Sequence, residues 1–263
     1  MHRSMLSKIA SVTRPGQRYL RTFNHRRHPA ISAVRQVHTR KRPQTLNTDP
    51  RMPDNKPRVY VYSLIVANVS FFLAWHESLR NPRLFEFMCE KCLISVESIK
   101  SHRYYTLVTS AFSHREPFHL LSNMYTLYIF SAILWQCPGL KLGHFITLTL
   151  GSAITGSAGY VLEKSIQKSH YHPASGASGM VLGIGAAASL LNPHQPLFLF
   201  GVIPMPLWIF IAGYAVFDGY YLNSKSKTAH SGHLGGLLWG SAYYFLSLYR
   251  FGGVGRLFQK GIR

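Results

Sequence analysis

From Val59 onward, apolar stretches return about every 25–35 residues, each near the ~20 residues needed to cross a bilayer. Six are read, over 59–75, 116–135, 143–162, 176–192, 197–217 and 228–249. Short polar connectors at 137–141, 192–196 and 223–227 carry Pro, Asn, Lys or Gly. One connector, 76–113, is long. It mixes charges with Leu84, Phe85, Phe87, Met88, Leu93 and Ile94, and reads as amphipathic pieces lying at the membrane interface. The fourth stretch is weak by hydropathy because it is rich in Gly and Ala, residues that let membrane helices pack closely. The expected class is an all-α membrane protein whose six spans put both termini on one side.

The basic charge lies elsewhere. Of the 29 Lys and Arg residues, 14 fall in residues 1–58, and the first 48 residues hold no acid. This segment is also rich in Ser, Thr and His and lacks the long apolar run of a secretory signal. It therefore reads as a mitochondrial targeting presequence and basic tail. The expected organisation is 1–58 for targeting, 59–250 for the six-helix domain, and 251–263 as a short basic tail. A nucleic-acid surface is disfavoured, because aromatic interleaving and a binding fold are missing.

Polar residues inside a bilayer are costly and point to function. They gather where the second, fourth and sixth spans begin, all on the same side: His114, His119 and Asn123; then Ser175-Gly176-Ala177-Ser178-Gly179; then His230 and His233. His119 and Asn123 are four apart and share a helix face. Ser175, Gly179, Gly183 and Ala187 form a stripe of small residues in the fourth span, and Gly232, Gly236 and Gly240 form one in the sixth. If the stripes meet, Ser178 comes within reach of His233. That pair is a nucleophile and its base. Ser178 lies in the first turn of its helix, where unpaired N–H groups and the positive dipole end would stabilise an oxyanion. His119 and Asn123 could add donors.

Glu116, Glu163 and Asp218 lie near span ends, and none is spaced to orient His233, so a Ser–His dyad is expected rather than a triad. His230 and His233 are three apart without an intervening Glu, unlike the helical zinc motif of metalloproteases, so no metal is expected. No cofactor is implied. Cys89-x2-Cys92 lacks the second pair of a zinc site and reads as plain loop. Internal inverted repeats, the mark of many transporters, are not visible.

Three motifs, in order and on the expected helices, resemble the rhomboid intramembrane serine proteases: His114-x4-His119-x3-Asn123-Met124, Gly176-Ala177-Ser178-Gly179, and His233-x2-Gly236-x3-Gly240. The resemblance covers about 59–250 and is nearer the mitochondrial branch, the presenilin-associated rhomboid-like and yeast processing rhomboids. Residues 67–75, 119–127 and 233–236 carry that nearer likeness. It implies a six-helix bundle and a serine endopeptidase with Ser178 as nucleophile and His233 as base. His119, Asn123 and the Ser178 N–H would serve the oxyanion, and His114 would be a polar residue at the active-site mouth. It further implies a multi-pass protein of the mitochondrial inner membrane. Its substrates would be single-span membrane proteins, such as a dynamin-like GTPase. An inactive rhomboid-like membrane chaperone or retrotranslocation factor is the rival class.

The chain departs from the family pattern at two positions in the core, and the seventh span that mitochondrial members often carry before the core is not visible in residues 1–58. Tyr104-Tyr105-Thr106 stands where many members have Trp-Arg, and Leu182 where many have a Tyr stacked on the catalytic His. Of the two histidines, His233 fits the motif, since Gly236 and Gly240 follow at the required spacing. His230, nearer the water-filled side, is expected to be dispensable.

Overall fold

Proline and small polar caps set where most helices start. In the computed structural model, residues 55–255 are described, apart from 170–171, 200–201, 223 and 225–227. Helix α1 (Lys56–Ser78) has Pro57 in its first turn, where a missing N–H costs nothing. The long connector then folds into short helices. Asn81 caps α2 (Pro82–Cys92) by accepting the Leu84 N–H, and Ser95 with Ser98 forms a capping box on α3 (Val96–Lys100). Helix α4 (Thr106–Thr109) runs into a 3-10 turn. Glu116 is extended, as the residue before a proline prefers, and Pro117 opens α5 (Pro117–Trp135). Helices α6 (Leu142–Ile166) and α7 (Ser178–Leu191) follow.

The expected fifth span, 197–217, needs correction. An antiparallel hairpin of β1 (Pro196–Leu199) and β2 (Ile203–Pro206) occupies its first half, and α8 (Leu207–Tyr220) starts only after it. The reason is local: Pro196, Pro204 and Pro206 each deny a helix an N–H and push the preceding residue to extended backbone. The last long helix, α9 (His230–Tyr243), passes into a π-turn over Tyr244–Leu248.

Past the boundary expected at 250 the chain keeps hydrogen bonds to the helices. The Val254 N–H donates to Leu190 O at the end of α7, and the Gly255 N–H donates to the Tyr244 hydroxyl. The presequence expected over 1–58 lies, up to residue 54, outside the described residues.

Helix α7 is the centre of the bundle, with 11 of its 14 residues buried. The outward faces are apolar: Val59, Val66 and Leu73 on α1, Leu121 and Tyr125 on α5, Val216 and Tyr220 on α8, Leu238 on α9. Apolar exposure on this scale is rare in water-soluble monomers and is what a lipid solvent allows. Among the described residues, α1 and α6 are long and apolar enough to cross a membrane by length and composition, and α7 and α8 are shorter apolar helices.

Candidate active site

The glycine stripes of α7 and α9 face each other. A methyl group at Gly179 would sit 2.8 Å from the Gly232 carbonyl oxygen, and one at Gly236 or Gly240 would overlap the backbone of Gly179 or Gly183. Helix α6 joins them, since a methyl at Gly156 would lie 2.9 Å from the same Gly232 oxygen. The start of α9 is thus wedged between α6 and α7 at backbone contact, which larger residues would forbid. The stripes were legible in the sequence; the participation of α6 was not.

This packing puts Ser178 Oγ 2.8 Å from His233 Nε2. The other ring nitrogen of His233 faces the Asp218 carboxylate, with Nδ1 3.1 Å from each oxygen. A carboxylate can only accept, so Nδ1 carries the proton and Nε2 keeps its lone pair toward Ser178. That is the tautomer a general base needs. Asp218 is 1% exposed and also accepts a bond from His230 Nδ1 at 2.6 Å.

Two expectations are corrected here. A carboxylate does reach His233: Asp218 lies on the last turn of α8 and His233 on the first of α9, so two helix ends 15 residues apart in sequence meet in space. His230 does not face the water-filled side. It is 4% exposed and bonded to that carboxylate.

The Ser178 end of α7 is shaped by Gly176. Its φ of +128° suits glycine, and a Cβ there would press on the His119 ring, 2.7 Å from Cε1. His119 therefore lies against the backbone two residues before Ser178. Asn123 Nδ2 donates to the His119 carbonyl at 2.9 Å and lies 3.3 Å from His114 Nε2. His114, expected at the mouth of the site, is instead fully buried beneath it, because its Nε2 accepts the Ala177 N–H at 3.2 Å. Burial pushes the His114 pKa down to about 4, and neighbouring His119 adds to the effect, so the ring is neutral and free to accept. It ties the segment just before α5 to the N-cap residue of α7. A cavity of about 40 Å³, bounded in part by Ser110, Ser157, Ser175, Ser178 and His233, has room for water beside the pair.

The rhomboid domain family matches this chain over residues 101–250, which includes each of these groups. The chain belongs to the rhomboid family. Its relatives include RHOMBOID-like protein 12, mitochondrial, of Arabidopsis thaliana, 32% identical over 197 residues that cover 68% of this chain and 55% of the relative. Rhomboid protein 1, mitochondrial, of Saccharomyces cerevisiae is 31% identical, covering 71% of this chain and 53% of the relative. Human presenilin-associated rhomboid-like protein, mitochondrial, is 28% identical, covering 70% and 47%. This rhomboid spans about half the length of the curated relatives it matches.

Two other clusters in this rhomboid have ligand or nucleophile chemistry. Asp218, His230 and His233 offer three metal-ligand atoms within 4.8 Å of one another, and hydrogen bonds among them and to Ser178 already account for those atoms. Cys92 is buried with Sγ 3.8 Å from Met88 Sδ, and burial pushes the thiols of both Cys89 and Cys92 up, away from reactive thiolate.

Proposed function

We propose that this rhomboid is an intramembrane serine endopeptidase of the mitochondrial inner membrane. The reading takes α1, α5, α6, α7, α8 and α9 as six membrane spans. One observation carries it: a hydrogen-bonded line from Ser178 Oγ through His233 to the buried Asp218 carboxylate. Packing alone has no use for a base aimed at a hydroxyl in the tautomer that accepts its proton.

In the proposed reaction, His233 Nε2 takes the Ser178 proton as Oγ adds to the carbonyl carbon of the scissile peptide. The oxyanion is held by first-turn N–H groups of α7, with His119 beside them and Asn123 able to turn its amide from His114. Asp218 balances the imidazolium and keeps its ring in place. The imidazolium then gives its proton to the leaving amine, and an acyl-serine remains. Water reaching the site through the small cavity attacks that ester, His233 takes its proton, and Ser178 is restored. Single-span membrane proteins are the proposed substrates, and a dynamin-like GTPase is the class the family likeness suggests. The names of the relatives support a mitochondrial location.

Purified chain should react with a fluorophosphonate probe and cleave a single-span reporter. Ser178→Ala and His233→Ala should each lose nearly all cleavage, and the double variant should be little worse, because the two act as one unit. A wild-type chain that neither labels nor cleaves would falsify the protease reading and favour an inactive rhomboid-like chaperone.

A further inference from the structure

The Asp218 carboxylate has two imidazole donors, and the closer one is not the base. His230 Nδ1 lies 2.6 Å from Oδ1, whereas His233 Nδ1 straddles both oxygens at 3.1 Å. A carboxylate 1% exposed, buried away from water, must have its oxygens met by such donors. Held by His233 alone, it would be fixed only by the group it is meant to orient.

His230 is itself held from other directions. Its ring stacks on Tyr221 at 5.9 Å and 27° and meets Phe217 edge-on at 5.9 Å. It also packs edge-on against the His233 ring at 6.3 Å and 82°. Phe217 lies on the last turn of α8, the helix that carries Asp218, and Tyr221 is the residue that follows it. That helix buries only Leu207, Ile211 and Asp218, so its own packing does little to fix the carboxylate.

We propose that His230 is a positioning residue that clamps Asp218. With Oδ1 pinned by His230, the carboxylate turns both oxygens to the His233 Nδ1–H, and Nε2 stays aimed at Ser178. The working unit is then a chain of four side chains, Ser178–His233–Asp218–His230, with a histidine at each side of the carboxylate. This rests on the protease reading and adds to it a residue that the motif spacing alone marks as dispensable.

The competing explanation is a plain tie between α8 and α9, and kinetics separate the two. Full-length chain in detergent is assayed for turnover of a single-span reporter and for the rate of fluorophosphonate labelling. His230→Ala is expected to lower kcat and labelling about 10- to 100-fold, as misplacement of a reacting group does, with KM little changed. His230→Asn, whose amide N–H can stand where Nδ1–H stood, should regain most of that loss. In an Asp218→Asn background, His230→Ala should cost less than about twofold, because the group it positions is already gone.

Three results overturn the clamp: a kcat for His230→Ala within about twofold of wild type, equal losses in both backgrounds, or an Asn variant no better than Ala. Should His230→Ala not fold, the Asn variant decides, and activity below about a tenth of wild type overturns the proposal. Failure of the protease reading looks different, since the wild type itself then neither labels nor cleaves and the clamp falls with it.

Discussion

Helices α7 and α8 have the same length, 14 residues, and both are apolar, yet α7 buries 11 residues and α8 three. The contrast comes from side-chain size. Helix α7 is built of Gly, Ala and aliphatic residues, so α6 and α9 approach it at backbone contact. Helix α8 carries Trp208, Phe210, Tyr214, Phe217 and Tyr220, which keep neighbours at a distance and turn much of their surface outward. Ser178 and His233, the proposed nucleophile and base, therefore sit on the closely packed side, and Asp218, the carboxylate that faces His233, comes from the loosely packed one. Backbone contact between α7 and α9 sets the Ser178–His233 pair, and the Asp218 carboxylate reaches it from α8 through bonds to His230 and His233.

The largest break in that contrast should come from filling the tight side. Gly236→Leu puts a side chain where the Gly179 backbone lies, and Gly183→Leu drives one into the Ser152 side chain and toward the Gly236 carbonyl, at about 1–3 kcal/mol of overpacking. Both variants should lose nearly all reporter cleavage although the reacting groups remain. Normal rates in both would show that the glycine contact does not set the Ser178–His233 distance.

Next in size is the carboxylate from the loose side. Asp218→Asn keeps the shape but can donate to His233 and so favour the wrong tautomer, and kcat should fall about 10²- to 10⁴-fold. A variant within threefold of wild type in the same turnover assay would mean, given such a range for tautomer loss, that His233 is oriented without it.

A third prediction concerns acid. His114 is buried neutral with its pKa pushed down to about 4, while in the unfolded chain it takes a proton at its ordinary value. Its contribution is complete above about pH 6.5 and is lost as pH falls toward 4, at most about 3 kcal/mol. Melting temperatures in detergent should drop between pH 7 and 4.5, and the drop should be shallower in His114→Asn. Parallel curves for the two proteins would remove His114 as the cause.

The smallest effect is expected on the outer face of α8. Val216 is 73% exposed, and Val216→Ala should change stability by no more than about 0.5 kcal/mol and leave probe labelling within twofold. A large loss there would mean that this face is held by contacts beyond the chain itself.

Much of the site could be read from residue order because its members share local motifs. His119 and Asn123 are one helical turn apart, and the stripes through Gly179 and Gly236 advertise close packing on their own. Asp218 was missed for a general reason. It precedes His233 by 15 residues and lies on a different helix, and no periodicity links two helices whose approach is decided by packing. His114 was misplaced because its spacing marks it as polar and near the site, while its depth depends on the Ala177 N–H that it accepts. The hairpin before α8 could have been read from Pro196, Pro204 and Pro206, but hydropathy alone runs through them.

By itself the sequence determined the helical, apolar character of the chain, the order of its helices, the family, and the residues that meet at the starts of the second, fourth and sixth apolar segments. The family follows from the likeness of three motifs and the rest from composition and short-range spacing, all of which survive in one dimension. The tertiary structure decided which carboxylate faces His233, that His230 shares it, how deep His114 lies, and that α6 completes the glycine contact. Each of these depends on which helix faces approach one another, and that is set by side-chain volume summed over the whole bundle.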